Sequence, residues 1–230
     1  MPVLPRRFKR LKSILNRRIS NLTVVLEAVE KPHNLSAILR SCDAVGVLEA
    51  HSISNVKRDL PTFNSTAQGS QKWVKLNNYQ NVDCVVKSLK DRGFKLYGTV
   101  LDENSIDYRK CDFTGATAFV LGAEKWGLSD EAKKLIDSSI YIPMRGMVQS
   151  LNVSVAAAIL LFEALRQRED IGILPLNGEG LEEDLYKQII FEWTYPEVAE
   201  WCKKEGAEYP TLNEKGEIID QMPRSIKIRF

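Results

Sequence analysis

Three short segments of this chain hold the side chains whose types and spacing could do chemistry. In "EKPHNLSAILRSCDAVGV" (30–47), Pro32 stops a strand, Asn34 can cap a helix, and Arg40 follows almost two turns later among apolar Leu35, Ala37, Ile38 and Leu39. An ion pair between Arg40 and Asp43 at i+3 is the structural account that this helix alone favours. In "VLGAEKWGLSDEA" (120–132), Gly122 and Gly127 permit close backbone approach or positive φ, Ser129 caps the next helix, and Glu124 stands between them. An ordinary strand-to-helix turn would look the same. In "PMRGMVQSLNVSVAAAILLFEALRQR" (143–168), the helix-starting residues Ser150 and Asn152 sit behind a polar approach, Arg145-Gly146-Met147, and open a strongly apolar helix.

Absent motifs narrow the chemistry. There is no GxGxxG at the first strand-to-helix turn and no GxxxxGK[ST], so hydride and phosphoryl transfer lose most of their support. Neither His33 nor His51 has a GxSxG partner, which argues against a nucleophilic triad. Cys42, Cys84, Cys111 and Cys202 are scattered without a CxxC, so neither a disulfide framework nor a metal site is expected. What remains is a ligand site near the carboxyl ends of strands, where open α/β sheets bind their ligands.

The elements that must position these residues are legible from periodicity. Residues 22–29, 49–54, 74–76, 95–100, 116–122 and 139–144 read as strands, several with the continuous apolar character of doubly covered parallel strands. Residues 34–45, 80–91, 129–136 and 152–168 read as helices between them, giving an α/β fold with a mostly parallel sheet flanked by helices. After Arg168 a linker-like stretch leads to helices at 181–192 and 196–205, an extension too short for an independent core. Three regions follow: 1–20, 21–168 and 169–230.

At 230 residues, 44% apolar and 27% charged, the chain has the composition of an ordinary globular protein. No apolar run approaches a membrane span and the start lacks the features of a secretory signal, so the expected location is cytoplasmic. The net charge of +2 is unevenly spread: Arg6, Arg7, Lys9, Arg10, Lys12, Arg17 and Arg18 put +7 in residues 1–20, leaving −5 elsewhere. Read as a helix, "RRFKRLKSILNRR" collects Phe8, Leu11 and Leu15 on one docking face and turns cations outward. A solvated helix would serve as well, but a one-signed patch fits RNA binding through counterion release.

Together, "NLSAILRSCDAVGV" (34–47), "LGAEKWGLS" (121–129) and "IPMRGMVQSLNVSVAAAILLFEALRQR" (142–168) resemble the SpoU or TrmH family of RNA ribose 2′-O-methyltransferases, within the SPOUT superfamily. The resemblance covers residues 20–168 and continues through "IIFEWTYPEVAEWCKKEG" (189–206) into an extension like that of the members that modify a guanosine in the tRNA D-loop. It implies a deep trefoil knot in which a C-terminal loop is threaded, with S-adenosylmethionine bound bent within it. It further implies that Thr99, Gly122, Ile142, Met144, Ser150, Leu151 and Asn152 border that cofactor. On the family's motifs Arg40 becomes the principal catalytic residue, Asn34 holds Arg40 or the ribose, and Glu124, Ser150 and Asn152 orient substrate and catalytic groups. A guanidinium pKa above about 12 makes it a poor base, so Arg40 is expected to bind phosphate and stabilise a developing alkoxide. Arg6, Arg7, Lys9, Arg10, Arg17 and Arg18 are the expected tRNA contacts. Within "STAQGSQKWVKL" (65–76), Gly69 and Ser70 are expected near the site, while Trp73 could equally be core. The family's homodimers imply a partner against Val153, Ala157 and Leu161, although a self-contained helix would read identically. An rRNA ribose methyltransferase, or an RNA-binding module without methyl transfer, are the alternatives.

Overall fold

The computed structural model describes residues 3–53, 72–123 and 126–220. In chain order these form α1 (Pro5–Leu15), β1 (Leu22–Glu27), α2 (Pro32–Val45), β2 (Glu49–Ile53), β3 (Lys75–Tyr79), α3 (Val82–Asp91), β4 (Lys95–Thr99) and β5 (Ile106–Asp107). There follow β6 (Thr117–Leu121), α4 (Asp130–Leu135), β7 (Ser138–Tyr141), α5 (Val153–Asp170), α6 (Glu183–Thr194) and α7 (Pro196–Glu205). They make two compact units: Ile19–Leu174, and the residues up to Arg18 together with those from Pro175 onward.

The larger unit is the α/β domain that the alternation of elements predicts. Its strands are parallel in the order β3-β2-β1-β6-β4-β7-β5, with β6 at the centre. Successive side chains of a strand point to opposite faces. Leu22, Val24 and Leu26 of β1 and Phe119 and Leu121 of β6 therefore join a core with α2 and α5. Val25, Ala118 and Val120 join a second core with α3 and α4. Both faces being covered explains the consecutive apolar residues of β1 (24–26) and β6 (118–121), each large side chain contributing about 1.5–3 kcal/mol on burial.

Three details depart from the sequence reading. Strand β5 was not expected; two residues paired to β7 at the sheet's edge leave no periodicity to read. Strand β3 runs through polar Asn77 and Asn78 because it too is an edge, where Asn77 donates to Glu49 at 2.8 Å. Asn34 does not cap α2: Lys31 is the N-cap and Pro32 supplies the first turn, its missing N–H and fixed φ suiting that position.

In the smaller unit the apolar face of α1 packs on α6: Phe8, Leu11 and Leu15 are buried, and the Phe8 ring lies against the backbone of Gly216. The Tyr186 hydroxyl donates to Asn16 Oδ1 at 2.6 Å, and the Gly178 N–H to Asn16 O at 3.0 Å. Phe191 stacks on Tyr209 with ring centroids 4.9 Å apart, over Val198, Ala199 and Cys202. The amphipathic N-terminal helix thus finds its partner in the C-terminal extension.

Candidate active site

Strands β6, β4 and β7 lie side by side, with Gly98 opposite Val120 and Thr99 opposite Ile140. Their carboxyl ends release three loops at one rim of the sheet: after Thr99, after Leu121 and after Tyr141. Thr99, Gly122, Ile142 and Met144 accordingly lie at the ends of three neighbouring strands although they are far apart in sequence. Ile142, Met144 and Leu151 are half-buried, apolar enough for an adenine ring, while Ser150 is exposed. The Thr99 hydroxyl donates to Val120 O at 3.4 Å, a long bond that leaves its backbone groups beside the loops. This rim fits an adenosyl group recognised through backbone and apolar contacts.

Gly122 has a further reason to be glycine. A Cβ there would collide with the backbone of Gly127 and Leu128, because Ala123 and Gly127 bridge across the loop and the Gly127 N–H donates to Ala123 O at 2.8 Å. Gly127 itself adopts φ +67°, the left-handed region open to glycine. The loop closes tightly on itself.

The first and third segments meet through their asparagines. Asn152 is the N-cap of α5, its Oδ1 accepting from the Ser154 N–H at 2.8 Å. Its Nδ2 donates to Oδ1 of Asn34 at 3.1 Å, across 118 residues of chain. Asn34 is buried at 2% exposure, so its amide is fixed in place by α2 and α5 together. One side chain therefore starts a helix and joins two segments.

Arg40 is not brought onto this pair. Six residues along α2 carry it about 9 Å further and roughly 120° around the axis, where its side chain is exposed. Among the described residues it forms no ion pair with Asp43, so the structural account of Arg40 fails. Glu124, Gly69 and Ser70 lie outside the described residues.

Two expectations are corrected by burial. Arg18 is 1% exposed with its guanidinium 5.2 Å over the Trp193 ring, so it is a packing residue and no RNA contact. Val153, Ala157 and Leu161 lie in the core of their own domain, because the stripe they form on α5 faces the sheet and α2. The apolar residues that α5 turns outward are Val155, 46% exposed, and Phe162, 50% exposed. Arg6, Arg7, Lys9, Arg10, Lys12 and Arg17 are all exposed. Lys9, Lys12 and Arg17 share an open groove of about 630 Å³ with Phe8 and Lys215. Lys215 was not singled out from the sequence, where it is a lone cation in an acidic turn.

Among the described residues no cluster of histidine, cysteine and carboxylate side chains could hold a metal, and no helix is long and apolar enough to cross a membrane. Residues 21–162 match the SpoU rRNA Methylase family, and residues 166–221 match its C-terminal region, "SpoU, rRNA methylase, C-terminal". A Thermus thermophilus protein named tRNA (guanosine(18)-2′-O)-methyltransferase is 52% identical over 187 residues, 81% of this chain and 95% of that one. The crystal structure of the Aquifex aeolicus TrmH/SpoU tRNA modifying enzyme superposes with a TM-score of 0.77 at 39% identity, covering 84% of this chain and 97% of that one. The SpoU methyltransferase AviRb from Streptomyces viridochromogenes, solved in complex with AdoMet, gives a TM-score of 0.60 at 29% identity, covering 66% and 62%. Matched over both of its regions, with the motif residues Asn34 and Asn152 hydrogen-bonded at the rim of a parallel sheet, this chain belongs to the SpoU rRNA Methylase family.

Proposed function

We propose that this chain is an S-adenosylmethionine-dependent methyltransferase acting on the ribose 2′-hydroxyl of a guanosine in the tRNA D-loop. The observation that carries the reading is the Asn152–Asn34 hydrogen bond, which fixes the two motif segments at the rim where three loops could hold the cofactor. The 52% identity to a protein named for guanosine 18 of tRNA favours tRNA over rRNA as substrate.

When bound, S-adenosylmethionine supplies an electrophilic methyl group on sulfonium. The chain's own task is alignment, since holding the 2′-oxygen in line with that carbon can supply several kcal/mol of the barrier reduction. Asn34, oriented by Asn152, holds the ribose. Arg40, exposed and with no ion-pair partner among the described residues, binds the adjacent phosphate and stabilises negative charge on the oxygen as its proton passes to water. Glu124, Ser150 and Asn152 orient the reactants, while Thr99, Gly122, Ile142, Met144, Ser150, Leu151 and Asn152 border the cofactor in a knotted arrangement of the loops.

Arg6, Arg7, Lys9, Arg10 and Arg17, joined by Lys12 and Lys215, contact tRNA phosphates; Arg18 does not. A homodimer formed through the outward stripe of Val155 and Phe162, and a cytoplasmic location where tRNA is at hand, complete the proposal. The test is incubation with bulk tRNA, rRNA and radiolabelled methyl donor, followed by mapping of the modified nucleotide. Label on a D-loop guanosine ribose is expected. Label confined to rRNA, or none, would overturn the reading.

A further inference from the structure

Glu27, the last residue of β1, belongs to none of the three motif segments. In the structure both its carboxylate oxygens are engaged by one residue 102 positions away: the Ser129 N–H donates to Oε2 at 2.9 Å and the Ser129 hydroxyl to Oε1 at 2.6 Å. The same Ser129 Oγ accepts from the Ala132 N–H at 3.1 Å, capping α4. Glu27 therefore holds the far end of the loop that starts at Gly122 and fixes the hydroxyl that starts the next helix. Strand register makes the reach possible, since Leu26 pairs with Leu121 and Glu27 comes level with Gly122 on the neighbouring strand. The residue after Glu27, Ala28, takes φ 53°, so the chain turns away at once and leaves the carboxylate standing at the rim.

The loop's inner end is held differently. Leu128 is 3% exposed and sits in a socket left by Gly98 on β4, where a Cβ would stand 2.9 Å from Leu128 Cδ1 and 2.5 Å from Ile136 Cδ1. A glycine inside a central strand weakens it, and here the gain is room for the loop. Gly122 is thus closed on Gly127, Leu128 is seated in the core, and the Glu27 carboxylate holds Ser129 from the end of β1. From this geometry we infer that Glu27 is a positioning residue, which by clamping Ser129 sets the turn Gly127–Ser129, and with it the closure on Gly122, for cofactor binding. The inference rests on the proposed cofactor site.

The clamp asks for two hydrogen bonds to Ser129 at the right reach, not for a charge. Gln keeps the reach and one acceptor, and its amide can donate to the Ser129 hydroxyl; Asp keeps the charge but falls one methylene short. The test is calorimetric binding of S-adenosylhomocysteine to the full chain, together with kcat and KM for the methyl donor. Glu27→Ala is expected to weaken binding about tenfold and to raise KM by a similar factor with kcat changed less, since a displaced loop costs ground-state binding. Glu27→Gln is expected to stay within about threefold of wild type and Glu27→Asp to resemble alanine, an order that a charge-based role would reverse. Adding Ser129→Ala to Glu27→Ala should weaken binding little further, because both remove one interaction. If Glu27→Ala does not fold, Ser129→Ala alone carries the measurement. Affinity within about twofold of wild type in both alanine variants, or Asp closer to wild type than Gln, would overturn the inference while leaving the function standing. Absence of binding by the wild type would overturn the cofactor reading and the inference with it.

Discussion

Arg168, in the last turn of α5, offers the sharpest stability test. Arg168 is 1% exposed, and its guanidinium meets no carboxylate among the described residues. It donates to Phe113 O at 3.0 Å, Asn21 Oδ1 at 2.7 Å, Asn21 O at 3.1 Å and Gly115 O at 2.6 Å. These acceptors belong to the entries of β1 and β6, the two central strands. Hydrogen bonds to a charged group contribute about 1.5–3 kcal/mol each, so four supply about 6–12 kcal/mol. Against this, burial pushes the Arg168 pKa below the ordinary guanidinium value to about 10, an opposing cost of about 3 kcal/mol. Arg168→Met keeps much of the volume but takes a donor from all four oxygens, leaving Asn21 O with the Thr117 N–H, Gly115 O and Phe113 O with the Thr117 hydroxyl, and Asn21 Oδ1 exposed to the loss in full. Partial rehydration of these brings the expected loss to about 3–5 kcal/mol. At about 2–4 °C per kcal/mol for a chain of this size, the thermal transition should fall by about 6–20 °C. Arg168→Lys should lose most of the same stability, since lysine keeps the charge without the planar fork. Circular dichroism melts of the three proteins decide it. A methionine variant within about 1 kcal/mol of wild type would show that the four bonds contribute no net stability.

Arg40→Lys should slow single-turnover methyl transfer to a tRNA transcript by about a hundredfold, a barrier rise of about 3 kcal/mol, with unfolding unchanged; near-wild-type chemistry would remove Arg40 from the reaction. Replacing Arg6, Arg7 and Arg10 with Gln should weaken tRNA binding and flatten the plot of log K against log salt by about one for each phosphate that is no longer neutralised; an unchanged slope would make them bystanders. Burial pushes the His51 pKa from 6.5 down to about 4, with Glu49 favouring the proton and Arg92 and Lys75 opposing it. The unfolded chain thus takes up a proton below pH 6.5 that the folded chain refuses until about pH 4, so stability falls across that window by up to about 1.4 kcal/mol per pH unit. His51→Leu should flatten the urea midpoint between those values, and an identical pH dependence in both proteins would exclude His51 as the cause. Phe162→Glu should turn a dimer into a monomer in sedimentation while leaving the melt of the monomer intact; an unshifted sedimentation profile would take the interface elsewhere.

Much of the domain was legible because a sheet covered on both faces writes itself as consecutive apolar residues, as at 24–26 and 118–121. The edges were less so: β3 shows in the sequence only as 74–76 and β5 not at all, since they bury little and carry polar or too few residues. The site was legible only as motifs. Helical spacing could not show that Asn34 faces Asn152, because their bond spans two elements whose packing is a tertiary fact. Arg17 and Arg18 are neighbours of one type, and only the position of Trp193 separates an exposed cation from a buried one. Glu27 was missed for a related reason: an acid at the end of a strand looks like the point where the chain meets water, and its two donors lie 102 residues away.

The same reasoning accounts for why α5 misled in one respect and not in another. A helix apolar all round carries no signal for which stripe is inside, so Val153, Ala157 and Leu161 could be assigned outward as readily as Val155 and Phe162. Its ends are another matter. Asn152 must stand where α5 begins, because its Oδ1 satisfies an N–H that the first turn leaves unpaired, and this same requirement turns its amide nitrogen toward Asn34. Arg168 fixes the opposite end on the entries of β1 and β6, so the helix is registered against the sheet at both ends, about 24 Å apart by its rise per residue. A helix held this way delivers its cap to the rim in one position, and the pairing of Asn152 with Asn34 is then set by the fold before any substrate arrives.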